Sequence, residues 1–172
     1  MKKTVCIVLL LLFFQFSFGQ AKPNRNGNLI GYFNKSDLLN NKYKKWFVPN
    51  YDSYEYNSKV VKKIKKNLDG ISIIGFVGTW CHDSKRVVPR FFKIMEKANF
   101  DFQKQFKLIG ISRGKKTPDK LEKGYDIKHT PTLIFYKKGK EIGRFVEHSR
   151  QSLEKDILKI IKEKKYKHSY QN

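Results

Sequence analysis

The stretch GFVGTWCHDSKRVVP, residues 75–89, decides the reading of this chain. An apolar run enters it, Trp80 and Cys81 stand at its centre, and the apolar residues beyond recur at helical spacing. A strand therefore ends and a helix begins at Cys81. The first amides of a helix lack intrahelical partners and carry partial positive charge. A sulfur at that position is in the setting that makes thiols reactive. Three residues on, where a dithiol site would carry its second cysteine, stands Ser84.

Working outward, ISIIGFVG (71–78) is apolar nearly throughout, as a strand buried on both faces would be. Residues 82–97 form the helix, with Val88, Phe91, Phe92 and Met95 as its inward stripe. FKLIGIS (106–112) is a second buried strand, and TPDKLEKGYD (117–126) is at most a short helix. PTLIFYKK (131–138) and EIGRFVEH (141–148) flank Gly139 as a hairpin. The chain closes with a helix in residues 149–165, faced by Leu153, Ile157, Ile160 and Ile161. Upstream, NSKVVKKIKKNLDG (57–70) is a helix. SDLLNNKYKKWF (36–47) is another, capped near Ser36 or Asp37, with Pro49 interrupting its pattern. The alternation implies a parallel strand pair with a crossover helix, edged by an antiparallel hairpin. The expectation is one α/β domain over 36–172, with its core in about 60–165.

The first residues read differently. Lys2 and Lys3 precede TVCIVLLLLFFQFSF, and Ser17 and Gly19 stand at small-x-small spacing. That is the form of a secretory signal peptide, expected to span 1–19 and to take Cys6 with it. The apolar run is short for a membrane span, so no stable span is expected after cleavage. Residues 20–35, rich in Asn, Lys and Gly, read as a flexible lead-in. Cys81 is then the one thiol of an exported protein, which excludes an internal disulfide. Localisation to a bacterial periplasm, or secretion, is the expectation.

The formal net charge is +22, which favours acidic partners. It is mostly lysine, spread along the chain, with six arginines for forked phosphate contacts. With export, this weighs against specific nucleic-acid binding. His82, His129 and His148 lack a recognisable metal-ligand spacing, so neither metal nor other cofactor is expected.

Two motifs in order carry a resemblance. TWCHDS resembles the Trp-Cys-x-x-Cys turn of the thioredoxin superfamily, with Pro89 matching the proline that kinks its active-site helix. HTPTLIFYKKGKEIGR resembles the segment that carries that family's cis-proline, here Pro131, and the following hairpin. The resemblance covers about residues 60–165. It implies a thioredoxin-like three-layer fold, a central mixed β-sheet with flanking helices and a C-terminal hairpin plus helix. It also implies that Cys81 is the nucleophile, that Ser84 offers the sulfur a hydroxyl, and that Trp80 rims the site. Thr130 would pair its backbone with an extended substrate beside Pro131, and Trp80, His82 and Asp83 would complete the substrate-binding surface; by their charges, His82 and Asp83 act oppositely on a thiolate.

The departures are equally specific. Ser84 replaces the second cysteine, and the buried acid that the family carries six residues before the nucleophile is Gly75 here. A peroxiredoxin pattern fails, because Gly78 stands where its threonine would be. The leading expectation is a monothiol protein in which Cys81 forms mixed disulfides that an external thiol resolves. Its partners would be thiol- or disulfide-containing proteins or a small thiol. The alternative is a non-catalytic thioredoxin-fold module whose groove holds a peptide or protein. A third reading is a basic protein acting at an anionic membrane surface.

Overall fold

A computed structural model describes residues 20–171. The expected signal segment, 1–19, lies outside the described residues. In chain order the elements are β1 (Lys22–Pro23), β2 (Leu29–Phe33), α1 (Lys35–Leu38), α2 (Asn41–Asp52), α3 (Ser58–Lys65), β3 (Ile71–Val77), α4 (His82–Lys97), α5 (Phe102–Gln105), β4 (Phe106–Gly110), β5 (Thr132–Lys137), β6 (Lys140–Val146) and α6 (Leu153–Ile161).

The strands form one mixed sheet in the order β1-β2-β4-β3-β5-β6. β3 is central: it runs parallel to β4, with α4 as the crossover, and antiparallel to β5. β5 and β6 form the hairpin. The helix-flanked mixed sheet expected from the sequence is therefore present. Alternate residues of β3 enter different layers, as strand geometry requires. Ile71 and Ile73 join α3, α4 and α6 in one cluster, through Val61, Ile64, Phe91, Met95, Ile157 and Ile160. Phe76 points into another, with Ile109, Ile111 and Ile134, packed by Leu121, Tyr125 and Ile127. The segment expected as at most a short helix, 117–126, consists of turns.

Three expectations are corrected. Residues 20–35 are not a flexible lead-in. β2 buries Leu29, Gly31 and Phe33 on one side and pairs antiparallel with β4. The polar background of the segment hides this short alternation, whose partner lies far along the chain. The expected helix over 36–47 is two helices. Asn34 caps α1 in a reciprocal box with Asp37, and Asn40 caps α2. Pro49 lies inside α2 rather than ending it. It sits on the exposed face, where water can take the carbonyl that loses its partner. Among the described residues no helix is long and apolar enough to cross a membrane.

One polar contact ties the helical layer together. Glu154 of α6 is 4% exposed. It accepts from the Tyr54 hydroxyl at 2.7 Å and the Asn57 amide at 3.2 Å, pinning the α2–α3 connection. Burial pushes its carboxyl up, but the bonds from Tyr54 and from backbone amides outweigh that and hold it below its ordinary value. Its contribution is therefore complete above the unfolded carboxylate value of about 4.3 and is lost as pH falls through the lower folded value. Glu154→Ala strands the Tyr54 hydroxyl and the Asn57 amide, so a loss of roughly 2–4 kcal/mol is expected in urea unfolding at neutral pH. The gap to wild type should narrow in acid.

Candidate active site

Gly78, Thr79 and Trp80 make the turn between β3 and α4. The Cys81 amide donates to the Gly78 carbonyl at 2.8 Å, and the Lys85 amide donates to the Cys81 carbonyl at 3.1 Å. Cys81 is thus the N-cap of α4, in extended conformation, and its side chain makes no capping bond. The sulfur stands at the helix start beside amides without intrahelical partners. Cys81 is partly exposed and not in a disulfide.

Its partner comes from far along the chain. The Cys81 thiol donates to the Thr130 carbonyl at 3.2 Å. Thr130 and Pro131 are buried immediately before β5, and the peptide bond between them is cis. Only a thiol has a proton to give, so this bond needs the protonated sulfur. Once the sulfur is a thiolate or a mixed disulfide, the Thr130 carbonyl is free for another donor, such as a substrate amide.

Ser84 is placed differently from expectation. It is 1% exposed, and its hydroxyl oxygen accepts from the Gly78 amide at 3.2 Å, with no hydrogen bond to Cys81. The hydroxyl oxygen closes the turn, a bond that leaves the hydroxyl's own proton to give. Asp83 pairs with Arg86 at 2.7 Å, which offsets its charge. His82 is exposed, with no hydrogen-bond or ion-pair partner among the described residues. Among the described residues, no group of three or more His, Cys, Asp and Glu could hold a metal ion.

Trp80 is partly buried, held more firmly than a surface rim needs. Its indole N–H donates to the Ile111 carbonyl at 2.9 Å, and the Arg113 guanidinium lies 5.0 Å from its ring centroid. The ring covers Gly78, where an added Cβ would come within 2.5 Å of Trp80 Cε2. Gly78→Ala is therefore expected to displace the indole. Tryptophan emission in a Trp46→Phe background, which leaves one indole, would shift if so and stay constant if the ring holds.

Two neighbours escaped the sequence reading. Thr79 is buried, and its hydroxyl oxygen accepts from the Leu29 amide at 3.1 Å, locking the turn to β2. Tyr170, after α6, stacks on His129 with ring centroids 3.6 Å apart. Its hydroxyl donates to Glu147, a bond that pushes the phenol up to about 12, with Asp83 and Cys81 close enough to contribute. The chain after α6 thus returns to the flank of the cysteine. A tyrosine in a lysine-rich tail carries no pattern that tells where the chain folds back.

The site's geometry agrees with what the chain is similar to. The thioredoxin family profile matches residues 48–162. Thioredoxin H9 of Arabidopsis thaliana is 32% identical over 101 residues, spanning 58% of this chain and 67% of that protein. A thioredoxin-like protein of Acanthamoeba polyphaga mimivirus is 34% identical over 90 residues, 52% of this chain and 61% of that one. A solved structure of a protein of unknown function from Pseudomonas aeruginosa superposes with a TM-score of 0.54 at 15% identity, over 71% of this chain and 85% of that one. That last likeness concerns the fold alone. The relatives support thiol–disulfide redox chemistry as the broad function. The profile match covers more than half of the sequence, and this chain belongs to the thioredoxin family.

Proposed function

We propose that this protein is a monothiol exchange protein acting through Cys81. The observation that carries the reading is the pairing of a partly exposed cysteine at a helix N-cap with the Thr130 carbonyl, while Ser84 holds the second sulfur's position. Deprotonated Cys81 attacks one sulfur of a disulfide R–S–S–R′. A Cys81–S–S–R bond forms, the R–S–S–R′ bond breaks, and R′ leaves as a thiolate. The freed Thr130 carbonyl then takes an amide of the R segment, and Trp80 supports it from the side. Ser84 cannot expel R, so an external thiol R″SH must attack the R sulfur. That gives R–S–S–R″ and returns Cys81. The net result is exchange of one disulfide partner for another, without net reduction.

The test is direct. The reduced protein is mixed with a peptide disulfide, quenched in acid and analysed by mass spectrometry. One peptide on Cys81, stable until a small thiol is added, is the expected product. No adduct on Cys81, with Cys81→Ser and wild type behaving alike in all assays, would leave the non-catalytic binding module as the better reading.

The chain's working compartment is part of the proposal. Residues 1–19 act as an export signal, and the functional protein starts at Gln20. N-terminal sequencing of protein recovered outside the cytoplasm should read from Gln20 or a residue near it. An intact Met1 there would remove the signal reading.

A further inference from the structure

We infer that the recess beside Trp80 is a docking site for an acidic segment of the substrate, next to the disulfide that Cys81 attacks. The inference rests on the exchange reading above, and extends it to the class of substrate. The recess, about 370 Å³, is formed by four separate stretches of chain: the 26–28 loop, α2, the 79–85 turn and helix start, and the loop after β4. Its charged lining residues are Lys42, Lys85 and Arg113.

These three cations converge without compensation. None has a carboxylate within salt-bridge distance among the described residues; in a chain with 37 Lys and Arg against 15 Asp and Glu that is common, and what sets these three apart is that they line one recess beside the cysteine turn. Their positions are fixed in different ways. Lys42 Nζ donates to the Asn26 carbonyl at 3.1 Å, and the neighbouring Tyr43 hydroxyl donates to the Gly27 carbonyl at 2.8 Å, so α2 carries the loop. Arg113 is laid over the Trp80 ring, which is itself bonded to Ile111. Lys85 rises from the first turn of α4, one turn beyond Cys81. Three cations lining one recess favour an anion there. Asn26 and Asn28 on the rim can add hydrogen bonds to a carboxylate.

The recess also lies in the right place. Trp80 forms part of its wall, and the next residue is the nucleophile. A substrate chain bound by backbone pairing at Thr130 passes Cys81 with Trp80 on its flank. Aspartate or glutamate a few residues from the substrate cysteine reaches the three cations. The effect is steering as well as affinity, since a concave patch of one sign raises the local concentration of the opposite sign.

The experiment compares three peptide disulfides of equal length whose flanks are acidic, neutral or basic. Rates of Cys81 adduct formation are measured by mass spectrometry, and binding of fluorescent thiol-free versions by anisotropy. The acidic peptide should react about tenfold faster than the neutral one at low salt, and the advantage should shrink as salt rises. It should also bind more tightly. The double variant Lys42→Glu, Arg113→Glu should abolish or reverse the ratio in both measurements, and Lys42→Gln, Arg113→Gln should bring it towards one.

Equal reaction and equal binding of the three peptides would overturn the inference while leaving the exchange reading intact. Selective binding without any adduct would uphold the docking site and remove the exchange reading. Charge-dependent sedimentation with phosphatidylserine vesicles, without peptide selectivity, would assign the patch to a membrane surface and overturn the inference.

Discussion

Ser84→Cys is expected to convert a site that captures into one that also releases. On the exchange mechanism proposed above, the wild-type mixed disulfide on Cys81 waits for an external thiol. A thiol three residues on, inside the same helix turn, makes that step intramolecular. Positioned groups reach effective concentrations far above those of free thiols, so the adduct's lifetime should fall at least about a hundredfold. The released product is the reduced peptide, and the variant is left with an internal disulfide between Cys81 and the introduced thiol. Electrons then balance as net reduction, and a reductant such as dithiothreitol resets the protein. The cost is visible in the turn: the Ser84 hydroxyl accepts from the Gly78 amide at 3.2 Å, and sulfur is a weaker acceptor. A stability loss of about 1 kcal/mol should accompany the gain. Adduct lifetimes equal to wild type would mean that the turn holds the new sulfur away from the first.

How much of this was legible depended on whether the signal was local. The strand-to-helix change at Cys81 is written in adjacent residues, and α4 begins at His82 as its apolar stripe requires. The meeting of Cys81 with Thr130 spans 49 positions. No spacing rule reaches across that distance, and only the resemblance brought those residues together. Ser84 shows the opposite limit. Its separation from Cys81 is right for a bond to the sulfur, yet the turn offers it a buried amide, and an amide left unpaired there would be costly. The Trp80 recess was illegible for a topological reason. Its cations come from α2, α4 and the loop after β4, which look like ordinary lysines and an arginine in a chain full of them. β2 was missed because Leu29, Gly31 and Phe33 are too few to mark a strand until β4 lies beside them.

Gly75→Asp, which would restore the acid found at this place in the family, is expected to damage the protein instead of completing the site. Gly75 lies in β3 with Leu108 on one neighbouring strand and Leu133 on the other. A Cβ there would come within 3.0 Å of Leu108 Cδ1, 3.1 Å of Leu133 Cδ2 and 3.3 Å of Phe106 Cζ. Leu108 and Leu133 are buried, so the glycine's missing side chain is already filled by theirs. An aspartate must displace them and then sit unpaired among apolar groups. Overpacking and an unsatisfied buried polar group together cost roughly 2–6 kcal/mol. The sign of the pH dependence follows from burial, which raises the folded value of such an acid above the unfolded one of about 3.9. The penalty is therefore full above the folded value and shrinks as pH falls towards the unfolded one. Denaturant midpoints for variant and wild type should lie further apart at high pH than in mild acid. Leu133→Ala in the same chain makes room and should recover part of the packing cost, but not the pH-dependent part. A Gly75→Asp protein as stable as wild type would show that the two leucines yield easily. The single-sulfur site would then be one substitution from its acid, whereas the packing described makes that loss a property of the core.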